Sequence, residues 1–139
     1  IPGRAAFLQA PGSTNDHDLG LFQVGPEAGP TTAGRGAVGL YHLAWEVESL
    51  DDLEDHLHTL SDAGALVGMS DHGTTKSLYA KDPDGLEFEV VWLIPAHLLT
   101  GDEADDIRPK PLNLDLEKAR YGGSTRGGIG ISIPVGVSV

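Results

Sequence analysis

The sequence predicts an α+β fold of paired β-α-β-β-β modules, with the first module truncated at its N-terminus. The main evidence is a run of leucines at helical spacing, flanked by stretches in which apolar and polar residues alternate with the period of β-strands. A content of 19 glycines and 9 prolines favours many turns and short strands over a helical bundle. The length of 139 residues and a hydrophobic content of 40% fit a single domain with one core.

The single domain divides into four parts along the chain. A hairpin predicted over 5–24 resembles a second one over 75–92, since each has two strands joined by a turn rich in Pro, Gly and Asp. We therefore expect residues upstream of Ile1 to supply the opening strand and helix of the first module. The parts are the end of the first module, a linker, a complete second module and a C-terminal extension, over residues 1–25, 26–37, 38–94 and 95–139.

The second module is the most clearly patterned part of the chain. A strand over 38–47 is followed by a helix that Ser49 caps at its start and Gly64 at its end. The leucine stripe of this helix is expected to cover the apolar face of the first strand, which carries Tyr41, Leu43 and Trp45. Three more strands are predicted, over 65–69, 75–81 and 86–92, with a strong turn between the last two at 82–85.

The patterns are weaker at the two ends. The first hairpin is predicted to have strands over 5–10 and 16–24, with His17 on the second strand. In the extension, one helical turn is predicted over 95–99 and a short helix over 112–120. The acidic run 102–106 is expected on the solvated surface, residues 121–130 are expected to be irregular, and 131–139 fit a strand or a disordered tail.

The charge balance limits the kinds of partner. Nine Lys and Arg against 21 Asp and Glu give a net charge of −12, which argues against nucleic acid and anionic membranes as partners. No apolar run is long enough to span a bilayer and no signal-peptide pattern is present, so we expect a cytoplasmic protein. Because the chain has no cysteine, any metal must be bound by His, Asp or Glu.

Two polar residues occupy matching positions in the first and last strands of the second module. Alternation places His42 and Glu89 on the face opposite the large apolar side chains. A polar group on a half-buried face needs a partner, and a shared metal ion is one such partner. The alternatives are a core histidine bonded to a carbonyl group and a solvated glutamate, a pattern that Glu87 also fits.

The order of these motifs resembles the vicinal oxygen chelate superfamily, which contains glyoxalases, extradiol dioxygenases and bleomycin-resistance proteins. The resemblance covers 5–92, and within the superfamily it is closest to small catechol 2,3-dioxygenase-like proteins. Its most specific part is the segment Ser-Leu-Tyr-Ala-Lys-Asp-Pro-Asp-Gly at 77–85, which leads to Glu89. The Asp-Pro-Asp-Gly turn occurs throughout the superfamily and does not select a reaction.

The resemblance implies a set of site residues. Extradiol enzymes hold iron(II) with two His and one Glu, and His42 and Glu89 match the second His and the Glu. The first metal His has no counterpart in this sequence and is expected upstream of residue 1. His17 resembles the acid-base histidine, Tyr79 the tyrosine that binds the substrate, and His72 lies in a loop that carries another substrate-binding histidine.

The function implied by the resemblance is ring cleavage of a catechol-like aromatic with O2 by an Fe(II)-dependent extradiol dioxygenase. Mn, Zn or Ni are alternative metals. A glyoxalase-type lyase or isomerase is one alternative function, and a metal-free protein that binds a small molecule such as an antibiotic is another. A homodimer is expected, because a partial module would expose a strand edge.

Overall fold

A computed structural model describes residues 2–33, 36–101, 103 and 108–128. The chain forms two compact units, the first ending at Pro30 and the second beginning at Thr31. No helix in the described part of the chain is long and apolar enough to cross a membrane.

The first unit is a β-hairpin. Strands β1 (Ala5–Leu8) and β2 (Leu19–Phe22) pair in antiparallel register, and both are shorter than predicted. The carboxylate of Asp18 ends the pairing because it accepts hydrogen bonds from the Ala10 N–H and the Ser13 hydroxyl, each at 2.8 Å. Side-chain bonds of this kind compete with the strand ladder.

The second unit contains a four-stranded sheet of the predicted β-α-β-β-β type. Strand β3 (His42–Glu46) runs parallel to β6 (Glu87–Leu93), while β5 (Thr75–Lys81) is antiparallel to both β6 and β4 (Leu66–Asp71). The spatial order is β3-β6-β5-β4. The predicted α+β class is therefore confirmed.

One helix connects the first two strands of this sheet. Helix α1 (Leu50–Asp62) begins where predicted, since the Ser49 hydroxyl accepts a hydrogen bond of 3.1 Å from the Asp52 N–H. The chain leaves the helix through Gly64, whose φ of 65° lies in the left-handed region that glycine tolerates.

The prediction that α1 covers the apolar face of β3 is wrong. Leu50 and Leu53 are fully buried in a core with Leu78 and Trp92, so α1 packs mainly on β4, β5 and β6. Leu43, by contrast, is 40% exposed. The helix lies over the part of the sheet formed by β4, β5 and β6, and β3 is the edge strand at the other end, beside the area that the helix covers.

The C-terminal extension completes the core. A 3-10 turn (Ala96–Leu98) follows β6, and helix α2 (Leu114–Tyr121) begins at the cap residue Asn113. Leu112, Leu114 and Tyr121 are buried in the same core as Trp92. Residues 122–128 form turns, in line with the predicted irregular segment, and the predicted strand or tail over 131–139 lies outside the described residues.

The prediction of a solvated acidic run over 102–106 is wrong at Glu103, the one residue of that run that the structure describes. Its side chain is buried. The carboxylate accepts hydrogen bonds from the Thr100 N–H and hydroxyl and forms an ion pair with Arg120. The Tyr121 hydroxyl donates a further bond of 3.2 Å. These partners satisfy a charge that burial would otherwise make costly.

Candidate functional site

His42 and Glu89 lie on the same face of two adjacent strands. The parallel ladder pairs His42 with Glu87 and Ala44 with Glu89, so the two side chains approach diagonally. The His42 Nε2 atom lies 3.2 Å from Oε2 of Glu89. Their side chains keep 29% and 12% of their surface exposed, so the pair is sheltered but open to small molecules.

Tyr79 and His72 extend this pair across the sheet. Tyr79 is directly opposite Glu89 on β5, and its ring centroid lies 6.0 Å from that of His42. The Tyr79 hydroxyl is hydrogen-bonded to Nε2 of His72 at 2.9 Å. The tight turn after β4 positions His72, whose N–H donates to the Thr75 carbonyl. The structure thus brings together four of the five residues predicted for the site.

The environment of Tyr79 keeps its hydroxyl protonated. Burial raises the pKa of Tyr79 above its ordinary value of 10.0, and the neighbouring negative charge of Glu89 raises this pKa further. The hydroxyl is therefore a hydrogen-bond donor at neutral pH, which suits contact with an oxygen that carries negative charge.

The geometry of His42 and Glu89 fits two ligands of one metal ion. Metal–ligand bonds of about 2.1 Å place neighbouring ligand atoms about 3 Å apart, close to the observed spacing. The Nδ1 atom of His42 is buried and has no hydrogen-bond partner among the described residues, so none of them fixes the imidazole tautomer from that side. No group of three His, Cys, Asp or Glu that could hold a metal occurs among the described residues, so a third ligand would have to lie outside them.

Ser77 was not singled out from the sequence as a site residue. It is fully buried, and it shares the face of Tyr79 on β5. The alternation of Ser77 and Tyr79 was the available signal, but a serine in an alternating strand is usually a surface residue.

His17 belongs to the first unit. The structure places it in the loop before β2, which corrects the prediction that it lies on that strand. Its ring packs edge-on against Phe7 at 4.9 Å, and its Nδ1 atom lies 3.2 Å from the Asp16 carboxylate. The backbone N–H of His17 donates to the same carboxylate and not to a strand ladder.

Comparisons with known proteins agree on one family. The model of the glyoxalase/bleomycin resistance protein/dioxygenase superfamily matches residues 3–90. Biphenyl-2,3-diol 1,2-dioxygenase 2 of Rhodococcus globerulus is 35% identical over 104 residues, which cover 74% of this chain and 44% of that protein. The chain thus spans less than half the length of this relative. No solved structure matches the chain significantly.

Proposed function

Because the chain belongs to the glyoxalase/bleomycin resistance protein/dioxygenase superfamily, we propose that it is part of an extradiol dioxygenase. The reaction is the Fe(II)-dependent cleavage of a catechol-like aromatic ring by O2. The observation that carries this proposal is the 3.2 Å approach of Nε2 of His42 to Oε2 of Glu89 on an open sheet face. The relative named for a biphenyl-2,3-diol supports an aromatic diol as the substrate.

In this proposal His42 and Glu89 supply two of three protein ligands to iron(II). A metal bound by two His and one carboxylate keeps adjacent positions open, where both catechol oxygens and O2 can be brought together. Glu89 contributes the negative charge that favours a divalent ion, and the neutral imidazole of His42 contributes a nitrogen ligand. Only 12% of the Glu89 side chain is exposed, which limits competition by water for its carboxylate.

The other predicted residues act on the substrate. Tyr79 donates a hydrogen bond to a substrate oxygen, and its hydrogen bond to His72 fixes the direction of its hydroxyl. For His17, which lies in the first unit, the acid-base role remains the prediction that the resemblance implies. A cytoplasmic homodimer completes the proposal, because a partial module would expose a strand edge.

Iron retention tests the metal site. The full-length parent protein and its three variants His42→Ala, Glu89→Ala and Glu87→Ala are loaded with Fe(II) without oxygen, desalted and analysed for iron. We expect the unmodified protein and the Glu87 variant to keep about one iron per chain, and the other two to lose most of it. Glu87 is the matched control because it lies two residues before Glu89 on the same face.

Catechols are then supplied with O2, and the coloured ring-cleavage product is followed by absorbance. Retention of Zn or Ni in place of iron, with activity that needs no oxygen, would replace the proposal by a glyoxalase-type reaction. Ligand binding that persists after chelation of all metal would replace it by a metal-free binding protein.

A further inference from the structure

We propose that the candidate site selects catechols that carry no negatively charged substituent, and that carboxylates on its own sheet face cause this selection. The inference rests on the proposed function and narrows its substrate class. It follows from where the chain places its negative and positive side chains around His42.

Three carboxylates occupy the face that carries His42. Glu87 is directly opposite His42 in the ladder, Glu89 is opposite Ala44, and Glu46 ends β3 on the same face. Neighbouring strands are about 4.8 Å apart, so Glu87 is a close neighbour of any molecule bound beside His42. Bound iron would compensate the charge of Glu89 and of the two chelating catechol oxygens, but not the charge of Glu87.

Four of the described positive side chains in the second unit form ion pairs with carboxylates that lie outside the face of His42. Lys76 points to the opposite face of β5, where it is buried and forms an ion pair with Asp71 at 2.5 Å. Lys76 also lies 3.1 Å from the Glu117 carboxylate. Three further cations in α2 and the segment after it form ion pairs: Lys118 with Asp51 and Glu54, Arg120 with Glu103, and Arg126 with Glu48.

Lys81 is the cation closest in register to the site. It ends β5 on the face of Tyr79, and the ladder pairs it with Glu87. Glu87 itself stands between Lys81 and His42 across the three strands. Lys81 offsets part of the charge of Glu87, but a substrate carboxylate could reach Lys81 only by approaching Glu87. The described residues of this face carry three carboxylates and one cation, so the net charge of the face is negative.

Two further observations agree with a negative potential at this face. Glu46 adds a further carboxylate at the end of β3 on this face, and the whole chain carries a net charge of −12. A substrate carboxylate about 8 Å from Glu87 would lose about 2- to 30-fold in affinity, depending on the effective dielectric constant. A substrate with an uncharged substituent of the same size would lose no affinity to this repulsion.

The test compares homoprotocatechuate with its uncharged amide. Binding to the iron-loaded protein is measured without oxygen by calorimetry, and kcat/KM for ring cleavage is measured with oxygen, each at low and high salt. We expect the amide to bind about tenfold more tightly at low salt. Added salt should narrow the difference, because screening weakens repulsion between exposed charges.

Charge variants locate the effect. We expect Glu87→Gln to reduce the ratio of the two affinities, amide over carboxylate, by about threefold. Lys81→Gln should increase this ratio. Asp55→Asn changes the net charge as much as Glu87→Gln but lies on the exposed side of α1, so it should leave the difference unchanged.

The outcomes separate this inference from the proposed function. If the carboxylate binds as tightly as the amide or more tightly, the inference is overturned. Ring cleavage of both compounds in that case would still support the proposed function. If the preference for the amide is changed neither by salt nor by Glu87→Gln, charge is not its cause, and the inference is also overturned. Binding and cleavage of neither compound would overturn both.

Discussion

The contact between His42 and Glu89 crosses two parallel strands diagonally, with Nε2 3.2 Å from Oε2, because the ladder pairs His42 with Glu87. Both side chains project to the same face in this register. A shift of β3 by one residue would turn His42 to the other face of the sheet. The geometry of the proposed metal site is therefore fixed by strand pairing and not by the flanking loops.

The negative charge of Glu89 should have a measurable effect on the pKa of Tyr79. Glu89→Gln removes a negative charge beside the Tyr79 hydroxyl, so the pKa of Tyr79 is expected to fall. It should stay above 10.0, because burial is the larger cause of its raised value. Ultraviolet difference titration follows the phenol, and Tyr79→Phe identifies its transition. An equal fall in Glu87→Gln, or no fall in Glu89→Gln, would contradict this account.

Tyr79→Phe tests the proposed hydrogen bond to the substrate. We expect kcat/KM for ring cleavage to fall about 10- to 100-fold, the usual cost of losing a hydrogen bond to a charged group. Iron content should not change, since the phenol is not a proposed ligand. Tyr41→Phe is the control. It also removes a phenol hydroxyl, but from an exposed residue that precedes His42 in the sequence. Loss of iron in Tyr79→Phe would mean that the residue supports the metal site instead.

The buried Lys76 should be critical for stability. Its Nζ atom lies 2.5 Å from the Asp71 carboxylate and 3.1 Å from that of Glu117 in α2. Lys76→Met would leave two carboxylates facing each other without a cation, so we expect the free energy of unfolding to fall by about 3 kcal/mol. Urea unfolding measures this change, with Lys81→Met as the exposed control on the same strand.

A compensating variant distinguishes charge from packing at this position. Adding Asp71→Asn and Glu117→Gln to Lys76→Met removes the unpaired charges and should restore most of the lost stability. If stability is not restored, the aliphatic part of Lys76 and its packing, and not its charge, account for the loss.

Local patterns predicted much of the fold. The bounds of β5 match the prediction, because alternation over Thr75–Lys81 is uninterrupted and a Pro-Gly turn ends it. The Ser49 cap was predictable because its hydroxyl bonds to a residue only three positions away. The shared face of His42 and Glu89 also followed from strand period alone.

The remaining features depend on contacts that no local pattern encodes. The exposure of Leu43 reflects which strands α1 covers, and this depends on the order of strands in the sheet. Glu103 is buried because Arg120 and Tyr121, much later in the chain, supply its partners. His17 lies outside β2 because nearby side chains bond to the backbone of its loop.

The last prediction concerns the pH dependence of stability at Glu103. Hydrogen bonds from Thr100, assisted by the charge of Arg120, lower the pKa of Glu103 from 4.5 to about 2. A carboxyl whose pKa is lower in the folded state stabilises it fully above its unfolded pKa of 4.5, and this contribution is lost as pH falls toward about 2. We expect Glu103→Gln to lower the free energy of unfolding by about 1 to 2 kcal/mol at neutral pH. Urea unfolding should give a smaller difference from the unmodified protein at about pH 3, and Asp55→Asn should show no such change. If the difference in unfolding free energy between Glu103→Gln and the unmodified protein stays constant with pH, the packing of the side chain and not its charge accounts for the effect.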